Sequence, residues 1–220
     1  MGQTKYGRSA SGIVALLMAG LLLAWPSVGL AQLGGLLPTT GSSTTTTVTG
    51  DATAVRATLF GALGLLTTTT SLADTGTLAG TTDSREASQV IGSVPSLLGA
   101  EVLSASTIGW PDQVASQASL ANLNLSLAGI GITADSVMAE ASQVAGAAGT
   151  GTTTIDNLLV NGTPVAITGD PNQIVAIPGG QLIINVQTIS STGTAVVNAI
   201  HVTVTGVADV VIASATAGIA

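Results

Sequence analysis

His201 is the only histidine in this 220-residue chain, so any Ser-His-Asp relay or imidazole-bearing metal site has to be built on it. It stands in the run Val196 to Thr205 on the side that carries Thr203 and Thr205, the wet side of an alternating strand. No G-x-S-x-G elbow supplies a partner serine, and there is neither a second imidazole nor a cysteine for a zinc site. His201 therefore reads as an exposed or hydrogen-bonded strand residue. Eleven carboxylates are scattered along the chain. Glu101 with Asp135 or Glu140 is the type of pair that glycoside hydrolysis uses as acid and base. Sugar sites usually stack rings on aromatic platforms, however, and Phe60 and Trp110 are the only aromatics after position 31. Asp156-Asn157, Asn161 and Asp170-Pro171-Asn172 offer the oxygen donors that calcium takes, but Asn and Asp are also ordinary turn formers and no D-x-D-x-D-G loop is present. On this reading the sequence assigns no catalytic residue, no cofactor and no metal ligand.

The elements that would position these groups begin after an unusual front end. Lys5 and Arg8 precede an apolar run from Gly12 to Trp25, which stops at Pro26. Gly29 and Ala31 then stand three and one positions before Gln32. A basic start, a short apolar middle and a small-residue site are the layout of a secretory signal peptide, cut between Ala31 and Gln32. The run falls short of the roughly 20 residues a helix needs to cross a bilayer. Lipid attachment needs a cysteine, and the chain has none. The expectation is an exported protein with no membrane span after cleavage, secreted or held in the cell envelope.

Three segments follow from this reading: residues 1–31 as the signal peptide, 32–50 as a Thr/Gly-rich linker, and 51–220 as one β-rich domain. Leu37-Pro38-Thr39-Thr40-Gly41 matches a sortase pattern, but it lies at the wrong end of the chain and reads as coincidence within the linker. From Asp51 onward apolar residues recur with period 2, the signature of half-buried strands. Leu123, Leu125 and Leu127 oppose Asn122, Asn124 and Ser126. Leu182, Ile184 and Val186 oppose Asn185 and Gln187. Val196, Ile200, Val202 and Val204 are expected on one face, opposite His201. Asn161-Gly162 predicts a two-residue hairpin, with further breaks at Asp170-Pro171-Asn172 and Pro178-Gly179-Gly180. Asp83 to Val90 predicts a helical turn capped by Asp83 or Ser84. Asp135 to Ala148 fits either a short helix or a strand with a bulge. The fold class predicted is all-β, an antiparallel sandwich or flattened barrel, with an irregular β-solenoid as the alternative.

Charge narrows the partners. After position 31 only Arg56 and Arg85 face the eleven carboxylates, so nucleic acid and anionic lipid surfaces would be repelled. The abundance of Val, Ile, Leu and Ala argues against disorder, and the lack of cysteine excludes thiol chemistry.

An ordered series in the second half carries a resemblance. It runs from Leu120–Ala139 through Ile155–Val165, Pro171-Asn172, Ile177-Pro178-Gly179, Leu182–Gln187 and Val197–Val202 to Ala208–Ala215. This series resembles the bacterial choice-of-anchor P proteins over roughly residues 50 to 220. The resemblance implies an exported, β-rich protein and transfers no catalytic or ligand-binding residue. Members of that family attach through C-terminal sorting signals. This chain shows none before Ala220, so release or non-covalent retention is expected. The function expected is a non-catalytic structural or adhesion-type protein that acts through an unidentified protein or surface partner, with self-association as one version. A secreted carboxylate-dependent hydrolase and a calcium-stabilised binding module are the alternatives.

Overall fold

A computed structural model describes residues 46–61 and 66–220. The signal peptide, the Ala31–Gln32 cut and the LPTTG stretch lie outside the described residues. In chain order the strands are β1 (Val48–Phe60), β2 (Thr67–Asp74), β3 (Ser84–Val94), β4 (Leu98–Gly109), β5 (Gln113–Leu127), β6 (Ile130–Val144), β7 (Thr150–Asp156), β8 (Leu159–Val160), β9 (Thr163–Pro164), β10 (Gln173–Ile177), β11 (Gly180–Ile189), β12 (Ala195–Val204) and β13 (Ala208–Ile219). Two antiparallel sheets result. Sheet A has the order β10-β11-β12-β13-β1-β2. Sheet B has the order β3-β4-β5-β6-β8-β9, with β7 also on β6. They pack face to face, β13 over β5 and β6, β1 over β4 and β5, β12 over β6 and β7. The sheets do not close into a barrel, and the antiparallel ladders rule out the solenoid.

The core is almost wholly aliphatic. Leu125, Ile132, Leu182, Ile184, Ile200, Ile212 and Val114 are completely buried. Each such side chain contributes about 1.5–3 kcal/mol by leaving water, so the alternation of inward and outward residues decides the fold. That alternation reverses once along each main strand. On β12 the buried positions are Ala195, Val197 and Ala199, then Ile200, Val202 and Val204. On β13 they are Ala208, Val210 and Ile212, then Ala213, Ala215 and Ala217. On β6 they are Ile130, Ile132 and Ala134, then Val137, Ala139 and Ala141.

The reversals line up into one row across each sheet. Residues in the left-handed region mark it: Asn185 (φ 55°), Ala213 (φ 51°) and Ala73 (φ 47°) in sheet A, and Val102 (φ 49°), Asn122 (φ 50°) and Asn157 (φ 52°) in sheet B. In sheet A the ladder keeps a single register through the row and merely skips it. Asn198 pairs with Ser214 and Ile200 with Ile212, while Thr53 pairs with Ser214 and Val55 with Ile212. β7 and β8 likewise share one register on β6 and are interrupted at Asn157-Leu158. The two sheets respond in opposite senses. Sheet A turns two consecutive residues inward, as at Ala54-Val55, Ala199-Ile200 and Ile212-Ala213. Sheet B turns two outward, Glu101-Val102 between buried Ala100 and Leu103, and Asp135-Ser136 between buried Ala134 and Val137. A crest on sheet A therefore meets a recess in sheet B.

Several expectations change here. Val196 faces outward and Val197 inward, because the reversal at Ala199-Ile200 separates Val196 from Ile200. Asn185 is buried on the Ile184 side rather than opposite it. Asp83 to Val90 contains no helical turn, since Ser84 onward is edge strand β3 paired with β4. Asp135 to Val144 is strand in continuous register with β5, neither helix nor bulge. β1 begins at Val48, inside the stretch read as linker. The Asn161-Gly162 hairpin is present, with both residues at positive φ between β8 and β9. Pro178-Gly179 turns β10 into β11, with Gly179 at φ 71° as a type II turn requires.

Buried polar ties fix the two layers against each other. Ser116 on β5 donates to the Thr216 carbonyl on β13 at 2.6 Å, and Thr107 joins Ser116 at 2.7 Å. Gln143, 2 % exposed, donates to the carbonyls of Ala147 and Thr192 at 2.9 and 3.0 Å and accepts from the Ile219 N–H at 2.9 Å. Gln143→Met keeps the volume and removes all three bonds. An orphaned buried donor alone costs about 1–3 kcal/mol, so the unfolding free energy should fall by that amount, read as a lower urea midpoint at unchanged m. An unchanged midpoint would show that the sheets do not depend on this tie.

Candidate functional site

The inward crest of sheet A leaves a hollow on its outer face. Along β1, Ala54 and Val55 point into the core, so their outward neighbours Thr53 and Arg56 stand on either side of the row. The same holds for Asn198 and His201 on β12, and for Val211 and Ser214 on β13. Cross-strand pairing assembles these into polar ladders. Asn198, Ser214, Thr53 and Asp74 lie directly beside one another on β12, β13, β1 and β2. Val196, Thr216 and Asp51 form the next rung. Thr75 secures the remaining wall: its N–H and hydroxyl bond the Ala52 carbonyl and N–H at 3.0 and 2.9 Å, placing Gly76 and Thr77 beside β1. The hollow is an open groove of about 490 Å³.

Its floor is made of hydroxyls. Thr53 is 1 % and Ser214 5 % exposed although both face outward by parity. Asp51, Asp74 and Arg56 supply the charge. Burial raises the Asp51 carboxyl above its ordinary value, partly offset by the Thr216 hydroxyl and the Arg56 guanidinium. Asp74 accepts from the Gly76 N–H at 2.9 Å. Arg56 reaches Thr53 at 3.4 Å. Among the described residues the ion pairs are Arg85–Asp83 and His201–Asp209, so neither carboxylate of the hollow pairs with Arg56.

The residues singled out from sequence are dispersed. His201 Nε2 meets Asp209 Oδ2 at 3.0 Å across β12 and β13, and its hydrogen bonds include no serine or threonine hydroxyl among the described residues. Glu101 and Asp135 do share a feature, the outward ridge of sheet B. Each is held by an amide, Asn122 to Glu101 at 2.8 Å and Asn157 to Asp135. Asp156 joins the same ridge and accepts from Ser136. Glu140 lies five residues further along β6, about 17 Å away at strand rise, bonded by Thr152. Asn161 caps the Gly131 N–H, and Asn172 meets Gln187 at a turn. Among the described residues no group of three or more His, Asp or Glu side chains is placed to hold a metal.

Sequence reasoning missed Asp51, Asp74, Arg56 and Ser214 as a set. The available signal was the doubled apolar residues Ala54-Val55, Ala199-Ile200 and Ile212-Ala213, which mark the row, with polar neighbours immediately outside them.

The hollow carries a stability cost of definite sign. A carboxyl whose folded pKa exceeds its unfolded value binds protons more tightly when folded, so stability falls as pH rises from 3.8 through the folded value of Asp51. Asp83 acts oppositely: the Ala79 N–H and Arg85 lower its pKa, a contribution present above the unfolded value and lost on acidification through the folded one. Asp51→Asn removes the first effect and leaves the second. The variant should melt above the parent at pH 7 and lose that advantage near pH 3. Equal melting temperatures at both pH values would refute the assignment.

No family model, curated protein or solved structure matches this chain.

Proposed function

We propose that this chain is a non-catalytic, exported β-domain that acts in the cell envelope or extracellular space through contacts made by a strand edge, with pairing of two copies as the version tested first. The observation that carries the reading is β3. Among the described residues it is an outer strand of sheet B, hydrogen-bonded on one side only, to β4. From Ala87 to Val94 it contains no charge and no proline. Proteins usually guard such edges with lysine, proline or brevity. Two shorter edges follow that practice: β9 is two residues ending in Pro164, and β10 is five residues between Pro171 and Pro178; β2, the other edge of sheet A, is uncharged as far as Asp74 but carries a run of four threonines in place of exposed aliphatic side chains.

Val90 and Ile91 on β3 are 80 % and 77 % exposed, and Val102 beside Val90 on β4 is 64 % exposed. These three side chains form the apolar end of the outward ridge. Two negatively charged copies would meet at an uncharged strand there, without setting like charges opposite each other. Val102 is a β-branched residue at φ 49°, a conformation that disfavours such side chains, and strain of this type gathers at functional surfaces. The leader layout and the resemblance to choice-of-anchor P proteins support the extracytoplasmic location.

Sedimentation velocity of the secreted chain across a concentration series should show reversible dimerisation. Val90→Lys with Ile91→Lys should shift the equilibrium toward monomer while leaving the melting temperature in place. A strict monomer at every concentration would sink the self-pairing version. Val102→Asn should raise folding stability by about 1 kcal/mol through relief of the left-handed strain and weaken the dimer. Loss of stability would show that the valine is held there without cost. Fractionation of producing cells tests location: protein starting at Gln32 in the medium or envelope supports export, and an intact leader on cytosolic protein overturns it.

A further inference from the structure

Asn161 is followed by Gly162, whereas the other six asparagines are followed by Leu, Gln, Val or Ala. The backbone nitrogen of the next residue can attack a side-chain amide and close a five-membered ring. The bulk of that next residue decides how readily the nitrogen arrives, and glycine has no Cβ in the way. The structure adds three observations. Asn161 and Gly162 are both exposed. Among the described residues the Gly162 N–H and the Asn161 Nδ2 make no hydrogen bond, so nucleophile and leaving group are both open to water. The hairpin is also short. β8 and β9 supply two residues each, and Pro164, opposite Leu159, has no N–H to donate. Few bonds hold the turn in its left-handed conformation, with φ 50° at Asn161 and 75° at Gly162. Local openings of so small and exposed an element lie at the low end of the free-energy range, and such an opening brings the Gly162 nitrogen to Asn161 Cγ.

We propose that Asn161 is a site of spontaneous deamidation, which converts the β8–β9 turn from Asn-Gly to Asp-Gly and, in part, to its isoaspartyl isomer. The Gly162 nitrogen gives its proton to hydroxide and forms a bond to Asn161 Cγ. The Cγ–Nδ2 bond breaks, and the amide nitrogen leaves as ammonia with a proton from water. Water then opens the cyclic imide. Attack at Cγ restores the ordinary backbone with an aspartate side chain, and attack at the main-chain carbonyl carbon gives isoaspartate. Nothing is oxidised or reduced. The fold treats the two products differently. Asn161 clamps Gly131 on β6: its Oδ1 accepts from the Gly131 N–H at 2.8 Å, and its own N–H donates to the Gly131 carbonyl at 2.7 Å. An aspartate keeps both bonds and makes the first charge-assisted, and Asp-Gly suits a two-residue hairpin as Asn-Gly does. An isoaspartate adds a methylene to the backbone, so the two-residue connection no longer closes and the clamp beside the Ile132–Val160 pair is lost. The site is remote in sequence from the β3 edge, and its chemistry is independent of the dimer.

The test is peptide mapping by mass spectrometry of the full secreted chain, incubated folded at pH 6 and at pH 8. The internal control is Asn124, which is also exposed but lies inside β5 and precedes Leu125. The peptide carrying Asn161 should gain one mass unit, with ammonia released in step and part of the product scoring as isoaspartate. Its conversion should be at least tenfold faster than that of Asn124, and faster at pH 8 than at pH 6, because the attacking nitrogen must first lose its proton. Asn161→Asp, the direct product, should melt no lower than the parent at pH 7. An Asn161 that stays intact in the folded chain while converting in the same chain in urea would overturn the proposal, since the hairpin would then not open. So would conversion no faster than that of Asn124, and an Asn161→Asp protein that melts well below the parent would overturn the claim that the turn accepts the product.

Discussion

The row at which every main strand exchanges its inward parity governs this molecule. A strand buries alternate residues, and a shift of one position would carry its whole apolar set into water. Here the shift occurs once in each strand, at the same level, and both sheets undergo it together. Sheet A doubles its inward residues where sheet B doubles its outward ones, so a crest enters a recess and the aliphatic core stays filled. Neither sheet could adopt this form alone. A regular sheet A opposite the recess of sheet B would leave a void, and voids in a core of Leu, Ile, Val and Ala are costly.

The two exterior surfaces inherit their character from that row. The crest of sheet A is a hollow seen from outside, lined by hydroxyls and by charges that do not pair. The recess of sheet B is an external ridge, acidic toward Asp135, which takes the Asn157 amide, and Asp156, which takes the Ser136 hydroxyl, and apolar toward Val90 and Val102. One geometric device thus yields a concave polar surface on one side and a convex mixed surface on the other. Small residues permit it. Ala54, Ala199 and Ala213 occupy the centre of the crest, where larger side chains would hold the layers apart. Gly151 on β7 serves the same purpose nearby, since a Cβ there would lie 2.1 Å from Val197 Cγ2.

How much of this was legible in the sequence depends on the range of the interaction. Strands with a uniform period of 2 between turn residues were readable, which is why the all-β class and the Asn161-Gly162 and Pro178-Gly179 turns agree with the structure. The reversals were not. In β6 the polar pair Asp135-Ser136 breaks the alternation, and the break mimics the onset of a helix. In β12 the adjacent apolar pair Ala199-Ile200 looks like noise until its partners at Ile212-Ala213 and Ala54-Val55 are set beside it. Ile212-Ala213 meets it across the β12–β13 hairpin, and Ala54-Val55 joins the row by pairing across more than a hundred residues, which no local pattern records. The hollow was hidden for the same reason, because Asp51, Asp74, Asn198 and Ser214 become neighbours only through three different ladders.

The pairing of β1 with β13 closes the domain with its first and last strands, and Thr47 and Ala220 exchange both backbone hydrogen bonds at that seam. A central strand of sheet A is therefore the last of the domain to be made. Joining the two ends requires the largest loop-closure entropy the domain has to meet, and topologies dominated by distant pairings assemble slowly. Until β13 arrives, β1–β2 and the meander from β3 to β12 have no common strand to join them. Insertion of β13 between β12 and β1 is thus the pairing on which closure of the sandwich depends.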